Sequence, residues 1–302
     1  MPLRSPLLAA APLLALATPA CAQSPSTPAP ATTDADPALW VVKDDDTTIY
    51  LFGTIHVLKP GLSWFDEAVK TAFDRSQTLV LEMVEPDAAT QQKVVAAKAF
   101  DAAPATPLTQ RLNPKYRTTF TQVMAKTGLP ATMYEKMRPW FAAVSLTALP
   151  VQELGYVPAN GPEAVLTQAA KAQGKAVRGL ETFEGQLSIF DGLSDAAQVK
   201  LLESTLDELP TAGPTMTKMV ADWSRGDPDA LATDMNDTLK ESPEVARALL
   251  TDRNKRWAGW IAERMKTPGT VFVAVGAGHL AGPESVQAML GAYKLKAVRV
   301  RY

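Results

Sequence analysis

The chain has 302 residues and only two histidines, and both close the same short pattern. Ile49-Tyr50-Leu51-Phe52-Gly53-Thr54-Ile55-His56 and Val271-Phe272-Val273-Ala274-Val275-Gly276-Ala277-Gly278-His279 each read as a buried strand ending in Gly-x-x-His. A glycine just past a strand lets the backbone turn sharply or pass close to a neighbour. A histidine placed there projects at the carboxyl edge of a sheet, where α/β proteins bind their ligands. Two scarce imidazoles set the same way, far apart in sequence, point to one shared site. Two neutral imidazoles and a carboxylate would leave open positions on a divalent ion, which lowers the pKa of bound water and polarises a carbonyl.

Three charged residues are candidates to complete such a site. Thr78-Leu79-Val80-Leu81-Glu82-Met83-Val84 is apolar on both faces except at Glu82, and an ionised carboxylate there needs a partner or a cation. Glu181 ends the run Ala176-Val177-Arg178-Gly179-Leu180-Glu181, with Thr182 set to cap the helix that follows. It suits a general base as well as a first-turn carboxylate balancing a helix dipole. Arg253 falls inside the apolar stripe Ala246, Leu249, Leu250, Trp257, Trp260, Ile261. It is either a snorkelling side chain or a fixed cation facing carboxylates or a developing oxyanion. Asn254 is a weaker neighbour. No Gly-x-Ser-x-Gly elbow and no phosphate-binding loop is present.

Around these residues the elements alternate between strand and helix. Leu39 to Lys43 and Thr48 to Phe52 form a hairpin about Asp44-Asp45-Asp46-Thr47. Ser63 is expected to cap a helix, and residues 86–174 read as a helical insertion or cap. Ser242-Pro243 opens a long helix that reaches Met265, Gly282-Pro283 starts the last helix, and Leu295 to Val300 is a final strand. The order predicts an α/β fold with a mostly parallel or mixed central sheet flanked by helices.

The amino terminus reads as a targeting segment. Arg4 precedes an Ala/Leu-rich core from Leu7 to Ala17, and Ala20-Cys21-Ala22 fits a cleavage site before Gln23. Thr18-Pro19-Ala20 matches a lipidation site poorly, so the expectation is export to the periplasm or outside, not a lipoprotein. Residues 23–37 read as a flexible leader and 38–302 as the folded domain. Cleavage removes the only cysteine, leaving no disulfide. A net charge of -2 gives no case for nucleic acid as a partner, and no later run is long enough to span a membrane.

Taken together, Tyr50-Leu51-Phe52-Gly53-Thr54-Ile55-His56, Leu79-Val80-Leu81-Glu82, Met137-Arg138-Pro139-Trp140, Gly179-Leu180-Glu181-Thr182, Arg253-Asn254 with Trp257, and Gly276-Ala277-Gly278-His279-Leu280 resemble the TraB/GumN family. That family includes the Tiki proteases and is related to erythromycin esterase-like and ChaN-like proteins. The resemblance covers nearly all of the chain after the leader. It implies a metal-dependent hydrolase acting on a peptide or protein substrate. His56, His279 and Glu82 would be the metal ligands, with Glu82, Glu181 and Arg253 as catalytic residues. The metal would be manganese or cobalt by resemblance, with zinc also suited to such donors. The ChaN-like relatives imply a haem- or iron-binding protein without turnover as the alternative, and a non-catalytic factor is the third reading.

Overall fold

The computed structural model describes residues 32–239 and 242–301, so the predicted signal segment and most of the predicted leader lie outside the described residues. The leader ends earlier than expected. Thr33–Asp34 (β1) pairs in parallel with Leu62–Ser63 (β4), and Ala35 is fully packed in the core. Ser63 is thereby drawn into a strand, where its carbonyl accepts from the Ala35 N–H, and the helix Glu67–Arg75 (α1) starts after Asp66 instead.

The main sheet has six strands: Leu39–Lys43 (β2), Thr47–Thr54 (β3), Thr78–Met83 (β5), Ala176–Glu181 (β6), Gly269–Gly276 (β7) and Val298–Val300 (β8). Their spatial order is β6-β5-β7-β3-β2-β8. The pairs β6/β5, β5/β7 and β7/β3 are parallel, while β2 runs antiparallel to both β3 and β8. The sheet is therefore mixed, with four neighbouring parallel strands whose carboxyl ends share one edge. The hairpin turn is held by Asp44, whose carboxylate accepts from the backbone N–H groups of Asp46 and Thr47.

Both faces of the inner parallel strands β3, β5 and β7 are covered, which is why they are largely apolar, whereas the edge strand β6 is exposed or half-buried along its length and carries Arg178. On one face Phe52, Leu79, Leu81, Phe272 and Ala274 pack with α1, with Pro162–Ala172 (α5) and with Ala212–Ser224 (α8). On the other, Leu51, Val80, Val271, Val273 and Val275 meet Trp257, Ala258 and Ile261 of Asp252–Arg264 (α10). Strand alternation puts Glu82 on the same face as Val80, the face that carries α10.

Residues 86–174 do not form a unit with a core of their own. Ala88–Ala99 (α2), Pro114–Lys126 (α3) and Pro139–Glu153 (α4) share one cluster with Phe183–Asp191 (α6) and Asp195–Glu208 (α7), which lie beyond β6. The helix α5 belongs to the sheet layer, as the crossover between β5 and β6. After Pro228–Leu239 (α9), the expected long helix from Ser242 is interrupted: Arg247–Thr251 is a π turn, and α10 resumes at Asp252. The last helix starts at Ser285, whose hydroxyl accepts from the Ala288 N–H, and the final strand is confined to Val298–Val300. Among the described residues no helix is long and apolar enough to cross a membrane.

Candidate active site

Each of the four parallel strands delivers one predicted residue to the shared edge: His56 after β3, His279 after β7, Glu82 near the end of β5 and Glu181 at the end of β6. The two glycines that open the motifs do different work. A side chain on Gly53 would crowd the Ala277 backbone at 3.1 Å, so Gly53 lets the turn before His279 pack against β3. The Gly276 N–H donates to Glu82 Oε1 at 2.7 Å, so the second glycine binds the carboxylate through its backbone.

Arg253 lies at the centre of the cluster and is only 2% exposed. Its fork uses every donor it has. Nε faces both Glu181 oxygens at 3.2 and 3.1 Å. Nη2 donates to Glu82 Oε2 at 2.6 Å and to Glu181 Oε2 at 2.8 Å. Nη1 donates to the Leu249 carbonyl at 3.3 Å, in the π turn, and to His279 Nε2 at 3.1 Å. The guanidinium also lies over Trp257, 4.7 Å from the ring centre. Such a fork matches paired carboxylates in a way a lysine does not.

The tautomer of His279 follows from this network. Asn254 Nδ2 donates to the Glu284 carbonyl at 2.7 Å, so Asn254 Oδ1 is the acceptor for His279 Nδ1–H at 2.6 Å. His279 Nε2 is then a lone pair, and the guanidinium uses it. Burial, and next the Arg253 charge, push His279 down to about 3, so the ring is neutral. Glu82 is held down at about 2. Burial opposes its charge, but Arg253, the two histidines and the Gly276 N–H outweigh it.

His56 sits apart from this cluster, paired with a residue that the sequence patterns do not single out. Glu163 Oε1 lies 2.7 Å from His56 Nδ1 and accepts from the Thr54 hydroxyl at 2.6 Å. Burial favours the neutral ring, but the charge and hydrogen bond of Glu163, then Glu82, raise His56 to about 9. His56 Nδ1–H thus donates to Glu163, while His56 Nε2 and Glu163 Oε2 are buried without partners. The pairing depends on Gly161, where an added Cβ would sit 2.2 Å from the His56 carbonyl oxygen. Gly161→Ala should push α5 off this loop, cost about 1–3 kcal/mol in urea unfolding and lower any turnover. A variant as stable as the parent would show that the close approach is not required.

His56, Glu82 and Glu163 line one cavity of about 640 Å³, together with Gln186, Met83 and Lys171. Gln186 was not expected either, because a glutamine in a first helical turn carries no signal of its own.

The predicted ligands His56, His279 and Glu82 do not together offer free donors to a divalent ion as they stand, and both ring nitrogens of His279 are already engaged. No group of three or more His, Cys, Asp or Glu side chains is gathered for an ion among the described residues. The reason is Arg253, which holds the free lone pair of His279 and one oxygen of Glu82, while Gly276 holds the other. Only His56 Nε2 is left.

A mixed α/β sheet with paired histidine motifs and a buried carboxylate–guanidinium cluster at its carboxyl edge defines the class. The TraB/PrgY/gumN family model matches residues 38–298, and the chain belongs to that family. It is 26% identical over 254 residues to "Uncharacterized protein YbaP" of Escherichia coli (strain K12), covering 84% of this chain and 92% of that protein. The protein of the same name in Shigella flexneri matches at the same identity and coverage. No solved structure matches the chain at a significant level.

Proposed function

We propose that the chain is an exported hydrolase that cleaves peptide bonds, with His56 and Glu163 as its proton-transfer pair. The observation that supports it is that pair: a ring oriented from behind by a carboxylate at 2.7 Å, with a buried, unpartnered nitrogen, on a residue that lines a cavity. That is the geometry of general acid–base catalysis. In this reading Glu163 Oε2 takes a proton from the attacking water as its oxygen bonds to the carbonyl carbon. His56 Nε2–H gives a proton to the departing amine as the C–N bond breaks. Arg253 does not move; it keeps Glu82 charged and holds Glu181 in place beside the reacting group.

The test is hydrolysis of a peptide library by the mature protein, followed by mass spectrometry, with Glu163→Gln and His56→Ala alongside. Glu163→Gln keeps the shape and removes the charge behind the ring. It should lower kcat/KM by roughly 10²–10⁴ and shift the pH profile to lower pH. Equal cleavage by all three proteins would end the proposal. The metal dependence implied by the family resemblance requires Arg253 to release Glu82 and His279. Elemental analysis of protein purified without chelators decides it: stoichiometric metal lost in His279→Ala would favour a rearranged, metal-bound site.

A further inference from the structure

Gln186 stands in the first turn of α6 and is 3% exposed. Its Nε2 lies 3.1 Å from Glu82 Oε2 and 3.2 Å from Glu181 Oε2. Ionised carboxylates only accept, so the amide nitrogen must face them and the orientation of the amide is settled by its neighbours. The other end, Oε1, is then a buried acceptor with no partner. Gln186 belongs to the wall of the cavity that also holds His56. A buried acceptor left without a donor is unfavourable, and a ligand that brings an N–H to it is correspondingly favoured.

We propose that Gln186 Oε1 accepts the N–H of the scissile amide, so that the site selects peptide amides over esters and N-methyl amides of the same shape. This rests on the hydrolase reading above and names the substrate class of that site. The carboxylates Glu82 and Glu181 hold the glutamine so that its carbonyl is the one polar end not already committed. Their own charge is spent on Arg253, so the recognition is by hydrogen bonding and not by net charge. A site that hydrogen-bonds a substrate group discriminates far more strongly against analogues lacking it than an apolar pocket does against size.

The experiment uses three matched short peptides that differ only at the cleaved linkage: amide, N-methyl amide and ester. The readout is the ratio of their kcat/KM values, which does not depend on how much of a variant is folded. Gln186→Met removes both ends of the side chain, whereas Gln186→Lys deletes the acceptor but keeps a donor toward Glu82 and Glu181, now with a positive charge. Both variants should lower the amide-to-ester and amide-to-N-methyl ratios by roughly tenfold or more. If amides are cleaved but the ratios stay at the parent values, Gln186 only positions Glu82 and Glu181. The specificity claim then fails while the hydrolase reading stands. If the parent cleaves none of the three, both fail together.

Discussion

Arg253→Met should destabilise the protein by about 3–5 kcal/mol, the largest loss expected from one substitution in the site. The methionine fills similar space but leaves Glu82 charged and buried without its cation, and removes the guanidinium that Glu181 shares with it. It also strips the partner from His279 Nε2 and from the Leu249 carbonyl. Arg256 does not compensate, because it reaches only Glu181 and is itself 55% exposed. Arg253→Lys should recover part of the loss, since a point charge remains but the planar fork does not. Adding Glu82→Gln and Glu181→Gln to Arg253→Met should restore much of the stability, because an uncharged cluster has no unpaired ion to bury. Urea midpoints measure all of these. A change within 0.5 kcal/mol for Arg253→Met, the ordinary range for surface substitutions, would mean that the cluster is not the buried network described.

The second large effect is a stability maximum near pH 6.5, produced by two histidines that act in opposite directions. His279 is held down at about 3, below its usual 6.5. Between those values the unfolded chain binds a proton that the folded chain refuses, so stability falls as the solution is acidified. Below about 4.5 Glu82, held at about 2, adds to that loss as the pH drops through its own titration. His56 is raised to about 9, so the folded chain holds the extra proton. Its contribution is fully present below 6.5 and is lost as the pH rises through 9, amounting to roughly 3 kcal/mol. His279→Gln should flatten the acid side of the profile, and His56→Gln the alkaline side. Thermal midpoints between pH 4 and 10, taken for the parent and both variants, check this; variants that flatten the same limb, or neither limb, would refute it. The same titration of His56 predicts that turnover relying on Nε2–H declines above about pH 9.

Much of the edge of the sheet could be read from residue types and spacing. Period-two alternation placed Glu82 opposite Leu79 and Leu81, and the structure puts it on the face of α10. Helical spacing put Arg253 within an apolar stripe, which a buried ion pair with strand-end carboxylates explains. Asn254, ranked as a weaker neighbour, proves to set the tautomer of His279.

What the sequence determined by itself was the set of strands and which residue each brings to its carboxyl end, because side-chain direction follows from local backbone geometry. Which charges face each other was decided only by the tertiary structure. Glu163 meets His56 across 107 residues because the α5 crossover brings its first turn against the loop after β3, and a glutamate in a first turn is otherwise an ordinary partner for the helix dipole. Between the two readings of Arg253, a snorkelling side chain or a fixed cation facing carboxylates, only the packing of α10 on the sheet decides: the guanidinium lies between Glu82 and His279.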